Sequence, residues 1–297
     1  TGEFVKALAP TCASRPHIAG NENKIRVCGD YHPANDITVK VVTPQRSAEE
    51  LIMLGTGRHY YFSIDEKSQY TGYKLDLESS KLLTINTPIG TIRPTRLQFG
   101  AKNAGAYVQH CTDAFRAEDL SEGALSRSIR YADDTVGFGD VQKHDGELTF
   151  DWDQLKEDFL EHIDSAVKRN ISLAPSKTKF GFSKVQFYGR MISRDGSSLA
   201  DHIVEPVRKM TRPTNHQQVQ IVLGLVNGFK NRVEKLAMIE KPLYSLRNKN
   251  TPFKWEITHE EAFQLMKKVC LKSKILRALD PTKPVKVMTD ASEGGKS

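Results

Sequence analysis

The sequence predicts an α+β protein built around a β-hairpin that carries two adjacent carboxylates. Residues 128–138 place alternating apolar side chains on both sides of Asp133 and Asp134, which is typical of two short strands joined by a tight turn. A second apolar run ends in another acid, at Asp65. Apolar residues also recur at the spacing of amphipathic helices in residues 102–115 and 153–168. The length of 297 residues suits one large domain or several smaller ones.

The paired acids admit two interpretations. Asp is a common turn residue, so a solvated Asp-Asp turn would explain the dipeptide alone. The alternative is a divalent-cation site, because two anions side by side in a poorly hydrated site repel by several kcal/mol and cations offset that repulsion. A strand ending at Asp65 beside the hairpin would bring three carboxylates together. Three carboxylates can hold two magnesium ions about 3.5–4 Å apart, the arrangement used for in-line phosphoryl transfer.

The elements before the hairpin are predicted to be strands, apart from one short helix and the helix of residues 102–115. Residues 24–35 show strand-like alternation that ends in Asp30-Tyr31. A short helix that follows Pro44 is predicted to end at residues 55–57, which contain two glycines. Two alternating runs, residues 73–77 and 82–86, predict a hairpin whose sheet residues 91–96 continue.

The elements after the hairpin become progressively helical. The helix over 153–168 is predicted to bury Leu155, Phe159, Ile163 and Val167 and to turn its acids outward. Residues 185–193 predict a hairpin, and the helical spacing of four apolar residues between 219 and 226 predicts a further helix. A capping box at Thr258–Glu261 predicts the start of the last helix, and residues 285–292 predict a strand.

Composition narrows the class of protein. The net charge is +7, and between residues 205 and 249 nine Lys or Arg stand against three Glu, so a basic face could follow a phosphate backbone. An ordinary basic surface is the alternative. The longest apolar runs are too short to span a membrane, and we expect no membrane partner. The four scattered cysteines suggest a reducing compartment, and no His/Cys spacing predicts zinc. We expect the chain to be a piece of a longer polyprotein.

Three motifs resemble those of reverse transcriptases. Tyr131-Ala-Asp-Asp134 resembles their active-site box, Ile64–Tyr70 resembles their first catalytic motif, and Leu97–Gln109 resembles the motif and helix between them. The set resembles the Pol region of gypsy-type (Metaviridae) LTR retrotransposons. The resemblance implies a right-hand polymerase with fingers, a ferredoxin-like palm and a helical thumb, followed by a connection segment and the first strand of an RNase H-like domain. The implied boundaries are 1–195 for fingers and palm, 196–252 for the thumb, and 253–297 for the connection and RNase H start.

The resemblance also implies a set of site residues. Asp65, Asp133 and Asp134 would be catalytic and would bind two Mg²⁺ ions, or Mn²⁺, together with the main chain of Glu66. Asp290 matches the first RNase H carboxylate, but we expect no RNase H activity without the partner acids. Five residues would contact the nucleotide: Arg26, Tyr70, Phe99, Gln109 and Lys177. Five others would contact template–primer: Arg208, Lys209, Arg212, Lys230 and Arg232.

Three of these residues have chemically specific roles in the family. A guanidinium at Arg26 would match the geometry of the triphosphate. A ring at Tyr70 under the sugar would clash with a ribonucleotide 2′-OH and favour deoxynucleotides. An ammonium at Lys177 would approach the triphosphate and protonate the pyrophosphate leaving group. Without the resemblance, a strand-surface arginine, a core tyrosine and a surface lysine would explain the same residues.

Several positions depart from the family pattern. Ala19–Asn21 replace the usual finger lysines, His32 replaces an arginine, and Gln98 and Gly105 replace prolines. Glu66 replaces an apolar residue beside Asp65, which leaves two outcomes open, weaker catalysis or an outward side chain. Gln69 replaces a glycine.

The favoured function is an RNA-directed DNA polymerase that acts on an RNA or DNA template with primer and on dNTPs. Its other partners would be the remaining Pol domains, namely protease, RNase H and integrase. We expect an intracellular location, in the cytoplasm, a virus-like particle or the nucleus. The departures motivate a second hypothesis, a degenerate or repurposed copy that binds nucleic acid without catalysis. RNA synthesis is a third hypothesis, against which Tyr70 argues.

Overall fold

The structure, a computed structural model, describes residues 3–8, 10, 12–21, 24–44, 46–67, 69–144, 147–248, 252–273, 275–276 and 284. The chain forms two compact units. The first unit consists of residues 1–194 and 199–202, and the second consists of residues 195–198 and 203–297. The predicted strand over 285–292, including Asp290, lies outside the described residues, as does Lys249. No helix in the described ranges is long and apolar enough to cross a bilayer.

Strands occur mainly in the first unit and helices in both. The strands in the described residues are β1 (Phe4–Lys6), β2 (Pro16–Asn21), β3 (Lys24–Gly29), β4 (Tyr60–Asp65), β5 (Ile85–Thr87), β6 (Gly90–Pro94), β7 (Ser128–Tyr131), β8 (Asp134–Gly139), β9 (Val141–His144), β10 (Glu147–Phe150), β11 (Lys179–Phe182), β12 (Lys184–Phe187), β13 (Arg190–Ser193) and β14 (Gly196–Leu199). The helices are α1 (His32–Ile37), α2 (Ala48–Gly55), α3 (Leu77–Leu82), α4 (Ala104–Asp119), α5 (Glu122–Ser126), α6 (Trp152–Lys168), α7 (Asp201–Lys209), α8 (His216–Asn227), α9 (Leu236–Tyr244) and α10 (Ile257–Leu271), with 3₁₀ turns at Tyr70–Gly72 and Ser245–Arg247.

A four-stranded antiparallel sheet forms the centre of the first unit, in the order β11-β4-β8-β7. Ile129 pairs with Val136 across the predicted hairpin, and Tyr61 of β4 pairs with Phe138 of β8. The alternation of side chains along each strand therefore sends apolar residues to both faces of the sheet. Both faces must then be covered.

Helices cover both faces of the sheet, and a hairpin adds to the cover on the first face. On the first face, α2 and the β12–β13 hairpin pack with Tyr61 and Val136 in one buried cluster. Ser47 starts α2 through a capping box with Glu50. On the second face, Leu155 of α6 packs on Phe62 and Ile64. Two apolar layers therefore hold β4 and β8 between them, and a separate buried cluster forms around Leu97, Ala104 and Val108.

The burial on α6 differs from the prediction. Leu155 is buried, and Phe159 and Ile163 pack against the core, but Val167 is 72% exposed. Asp158 and His162 are buried instead. The prediction that every acid of this helix faces outward is wrong, because Asp158 accepts two hydrogen bonds from the Arg127 guanidinium, at 2.7 and 2.8 Å.

Residues 73–86 also differ from the predicted hairpin. Asp76 caps a short helix, α3, by accepting a hydrogen bond from the Ser79 backbone N–H. β5 then pairs with β6 and β6 pairs with β1, which makes a separate three-stranded sheet. β2 and β3 form a hairpin in which Arg26 lies opposite Ala19.

The second unit is mainly helical in the part that the structure describes, with most of β14 as its strand. The predicted helix near residues 219–226 is α8, which buries Val219, Val222, Leu223 and Val226. α9 packs on α10, whose buried residues include Phe263 and Met266. The predicted capping box is displaced by two residues, because Glu256 is the N-cap and His259 completes the box.

Candidate active site

The central sheet brings the three predicted carboxylates to one edge. Asp65 ends β4 directly opposite Asp134, the first residue of β8. Asp133 lies in the two-residue turn between β7 and β8, and its carbonyl accepts a hydrogen bond of 3.2 Å from the Glu66 backbone N–H. A strand ending at Asp65 thus lies beside the hairpin, as the sequence predicted.

The turn that carries Asp133 has an unusual backbone. Ala132 has φ of 52°, in the left-handed region that costs a residue with a Cβ about 1–2 kcal/mol. The Gln69 side-chain amide donates to the Ala132 carbonyl at 2.9 Å and so holds the turn from the neighbouring loop. Strained backbone of this kind persists where surrounding contacts fix it, often at functional sites.

The Lys177 side chain forms an ion pair with the Asp65 carboxylate. Its Nζ donates to both Asp65 oxygens at 3.0 Å, and this interaction raises the pKa of the lysine. The Ala174 backbone N–H also donates to the Asp65 carbonyl, at 2.9 Å, so the segment that carries Lys177 is attached to the end of β4. The predicted nucleotide-binding lysine therefore lies at the carboxylates.

Asp134 is enclosed from the other side by the β12–β13 hairpin. The Tyr188 backbone N–H donates to Asp134 Oδ2 at 3.3 Å, and the Tyr188 ring lies 4.3 Å from that of Tyr131. Tyr188 and Gly189 both have positive φ, as a two-residue hairpin turn requires. The sequence predicted this hairpin over residues 185–193 but not the contact of Tyr188 with Asp134.

The donor set suits magnesium. Carboxylate oxygens are the ligands that Mg²⁺ prefers. Burial raises the pKa of Asp134, and the negative charges of Asp133 and Asp65 raise it further, which is the repulsion that a cation offsets. Among the described residues, no three His, Cys, Asp or Glu side chains lie close enough together to hold one metal ion. The Asp65 carboxylate is paired with the Lys177 ammonium.

Glu66 points inward. Its carboxylate accepts a hydrogen bond of 2.8 Å from Arg130 of β7, and the Glu66 and Arg130 side chains are only 9% and 2% exposed. Burial raises the pKa of Glu66, while Arg130 opposes that shift. Of the two outcomes left open for Glu66, the outward side chain is wrong, because a partner across the sheet neutralises the carboxylate.

The remaining predicted nucleotide contacts lie in the first unit, on several different elements. The Tyr70 ring packs on Phe99 with centroids 4.7 Å apart, which joins the 3₁₀ turn after β4 to the segment before α4. Gln109 lies on α4, where its amide donates to the Asp113 carboxylate at 2.8 and 2.9 Å. For Arg26 the structure describes the backbone, on β3.

The predicted template–primer contacts lie in the second unit. Arg208 and Lys209 are exposed and pair with Glu205, at 2.8 and 3.4 Å. Lys230 is exposed. Arg212 lies 5.4 Å from the Trp255 ring and 3.9 Å from Glu260. Arg232 differs from the others, because it donates to the Ser197 carbonyl at 2.6 Å and to its hydroxyl at 3.1 Å.

Comparisons with known proteins identify similar sequences. No protein-family model matches the chain. It is 25% identical over 276 residues to the transposon Tf2-3 polyprotein of Schizosaccharomyces pombe, covering 93% of this chain and 20% of the relative. It is 26% identical over 275 residues to the Retrovirus-related Pol polyprotein from transposon 297 of Drosophila melanogaster, covering 92% and 25%. The chain thus spans a quarter or less of the length of these relatives.

Solved structures identify a similar fold. The foamy viral protease-reverse transcriptase dRH in complex with double-stranded DNA matches with a TM-score of 0.80 and 18% identity, over 94% of this chain and 47% of that one. The foamy viral protease-reverse transcriptase in complex with an RNA/DNA hybrid matches with a TM-score of 0.79 and 18% identity, over 95% and 36%. The predicted resemblance to a retrotransposon Pol reverse transcriptase is confirmed, and so is the mixture of helix and strand.

Proposed function

We propose that this chain, a relative of retrotransposon Pol polyproteins with the fold of reverse transcriptases, contains the polymerase core of an RNA-directed DNA polymerase. It would extend a primer on an RNA or DNA template, adding deoxynucleotides and releasing pyrophosphate. One observation carries the proposal, the register that sets Asp65 opposite Asp134 with Asp133 in the adjoining turn. The proposed fingers, palm and thumb fit the same family.

The carboxylates would supply the chemistry. Asp65, Asp133, Asp134 and the main chain of Glu66 would hold two magnesium ions, which would lower the pKa of the attacking primer 3′-hydroxyl and stabilise charge on the phosphorus oxygens. The strand pairing holds the three carboxylates at one edge of the sheet. Gln69 holds the Asp133 turn through the Ala132 carbonyl.

Lys177 would act as the general acid. In the free protein its ammonium donates to both oxygens of Asp65 at 3.0 Å, so it lies beside one of the proposed metal-binding carboxylates. We propose that substrate binding releases it from Asp65 to the triphosphate, where it protonates the departing pyrophosphate. The hydrogen bonds to Asp65 raise the pKa of Lys177, so the side chain is protonated in the free protein.

Selection of the nucleotide would depend on Tyr70 and its support. The Tyr70 ring packs on Phe99, which limits its freedom to move away from a sugar 2′-hydroxyl. Arg26 would bind the triphosphate, and Gln109 would support the templating pair from α4. The template–primer would lie along the basic second unit, through the exposed residues Arg208, Lys209, Arg212 and Lys230.

The wider setting follows from the relatives. The polyproteins that match are retrotransposon products, so protease, RNase H and integrase domains are the proposed neighbours of this region. An intracellular site, in the cytoplasm, a virus-like particle or the nucleus, fits that setting.

Primer extension tests the proposal. The substrate is poly(rA)/oligo(dT) with dTTP, first with Mg²⁺ and then with Mn²⁺. Wild-type protein should extend the primer, and Asp133→Asn should not, while both bind primer–template equally. Asp153→Asn, the same exchange at an exposed acid in the first unit, is the matched control and should extend normally. Wild-type extension by Asp133→Asn would contradict the site.

Two observations favour a second candidate function. Lys177 binds Asp65, and no group of three described acids is arranged to hold a metal ion, which also suits a copy that binds nucleic acid without catalysis. Melting temperatures with primer–template and Mg²⁺ distinguish the two. Stabilisation by the matching dNTP favours the polymerase, and equal melting temperatures with every dNTP favour the binding protein.

A further inference from the structure

The turn that carries Asp133 is held through its main chain. Asp133 is exposed, and Ala132 and Asp133 are the two residues between β7 and β8. Both of their carbonyls accept hydrogen bonds from the segment that follows β4. The Gln69 amide donates to the Ala132 carbonyl at 2.9 Å, and the Glu66 backbone N–H donates to the Asp133 carbonyl at 3.2 Å. The backbone under Asp133 is therefore attached to a different loop at two points.

The direction of the Gln69 amide depends on the Glu66 carboxylate. Burial raises the pKa of Glu66, whereas the charge of Arg130 and hydrogen bonds from Arg130 and Gln69 oppose that rise. Gln69 thus donates to Glu66 as well as to Ala132. A carboxylate paired with a guanidinium and a main-chain carbonyl are both acceptors, and an amide nitrogen has two N–H groups to donate. The two acceptors use both donors and exclude the flipped amide, whose oxygen would face them.

Arg130 fixes the other end of this arrangement. Its guanidinium donates to the Glu66 carboxylate at 2.8 Å, and it lies on β7, two residues before Ala132. Both side chains are almost completely buried, so their hydrogen bond forms away from water, where it is stronger. The contacts lead from β7 to Glu66, from Glu66 to Gln69, and from Gln69 back to the turn after β7. We call Glu66, Gln69 and Arg130 the turn clamp.

Two members of the turn clamp are positions at which this sequence departs from the family pattern. Glu66 replaces an apolar residue and Gln69 replaces a glycine. Neither an apolar side chain nor a glycine can form these hydrogen bonds. The two departures are therefore linked chemically, because Glu66 supplies the acceptor that orients Gln69.

We propose that the turn clamp positions Asp133, so that its carboxylate can bind a divalent cation together with Asp65 and Asp134. This role rests on the proposed function and assigns a part in it to three side chains that are not themselves predicted metal ligands. Glu66 would then support the site and not weaken it. Loss of partners that orient metal ligands typically lowers metal affinity or activity about 10–100-fold.

Binding of Mn²⁺, followed by electron paramagnetic resonance of the unbound ion, tests the proposal without relying on activity. Gln69→Met keeps the length of the side chain and removes both donors, and we expect it to bind Mn²⁺ at least about tenfold more weakly than the wild type. Gln154→Met is the matched control and should bind Mn²⁺ as the wild type does. Gln154 of α6 donates at 3.1 Å to Asp158, a buried carboxylate that is paired with Arg127, so the same exchange is made in the same kind of network on other elements.

The variant with both Glu66→Met and Arg130→Met separates positioning from stability. Replacing both charges by apolar side chains should restore most of the stability that either single change removes. It also removes the acceptor that orients Gln69, so we expect Mn²⁺ binding to stay about tenfold weaker than in the wild type. In primer extension, this variant and Gln69→Met should show a lower kcat with an unchanged KM for primer–template.

Failure of the turn clamp can be distinguished from failure of the proposed function. Wild-type Mn²⁺ affinity in Gln69→Met, an equal loss of affinity in Gln154→Met, or wild-type affinity in the stable double variant would overturn the turn clamp. The proposed function would fail at an earlier step. In that case the wild type would bind no Mn²⁺, or Asp133→Asn would bind it and extend primers as the wild type does.

Discussion

The buried pair of Glu66 and Arg130 makes a quantitative prediction about stability. A double-mutant cycle tests this prediction, with the variants Arg130→Met, Glu66→Met and the variant that carries both changes. Methionine fills similar space with an unbranched apolar chain, so each single change removes one charge and leaves its partner buried.

The structure sets the expected magnitude. The two side chains are 2% and 9% exposed and lie 2.8 Å apart, so neither charge can reach water when its partner is lost. Breaking such a pair costs about 3–5 kcal/mol, whereas replacing both members by apolar residues is close to neutral or stabilising. Each single variant should therefore lose about 3–5 kcal/mol of unfolding free energy, and the double variant should regain most of it.

Urea unfolding followed by fluorescence measures these changes in the first unit. The chain has two tryptophans, and a Trp255→Phe background leaves Trp152, which packs on Tyr60 with centroids 4.7 Å apart. The control is the exposed pair of Glu78 and Lys81, whose side chains are 78% and 51% exposed. Lys81→Met should change stability by less than about 1 kcal/mol.

The cycle refutes the reasoning in two ways. If both single variants lose less than about 1 kcal/mol, the pair is not buried as the structure places it. If the double variant is as unstable as the singles, the loss comes from packing and not from an isolated charge.

Three further predictions concern pH, packing and selectivity. Because burial lowers the pKa of His162 to about 4, the unfolded state binds more protons below pH 6.5. Unfolding free energy in urea should then fall by about 3 kcal/mol between pH 7 and 4 relative to His162→Gln, and parallel pH curves would contradict this. Gly137→Ala should lower the free energy of unfolding by about 1–3 kcal/mol, because its Cβ would meet the Phe62 ring. Gly72→Ala is the control and should stay near wild type, because nothing lies within 4 Å of its Cβ. Equal urea midpoints for the two variants would contradict the packing around Gly137. Tyr70→Ala should incorporate ribonucleotides in primer extension, because the ring that would exclude the 2′-hydroxyl is gone. Unchanged sugar selectivity would show that Tyr70 does not select the sugar.

Local chemistry made much of the fold predictable. Alternating apolar residues around Asp133 specify the hairpin, and the spacing of Leu155, Phe159 and Ile163 specifies α6. These patterns are visible because each strand or helix face repeats within a few residues. The edge that collects the carboxylates follows once the strand ending at Asp65 is placed beside the hairpin.

The errors occurred where a cap or a distant partner decided the outcome. Residues 73–86 alternate as strands would, yet Asp76 caps a helix at Leu77 and outweighs the alternation. The last helix starts at Ile257 because Glu256 and His259 bond reciprocally, two residues before the predicted box.

The orientation of Glu66 depended on a residue 64 positions away. The available signal was a charged residue, Arg130, inside an otherwise apolar strand, since such a charge requires a buried partner. Nothing local in the sequence specifies that the partner is Glu66 or that Tyr188 would donate to Asp134. Contacts of this kind can be predicted only when the pairing of the strands in three dimensions is known.

The central claim is that Asp65, Asp133 and Asp134 form a nucleotidyl-transfer site at the edge of the sheet. The most direct test is the rate of the first dTMP addition to oligo(dT) on poly(rA), measured with Mg²⁺ for wild type and Asp133→Asn at equal occupancy of bound primer–template. We predict addition by the wild type and background levels for the variant. Equal rates for the two proteins would contradict the claim.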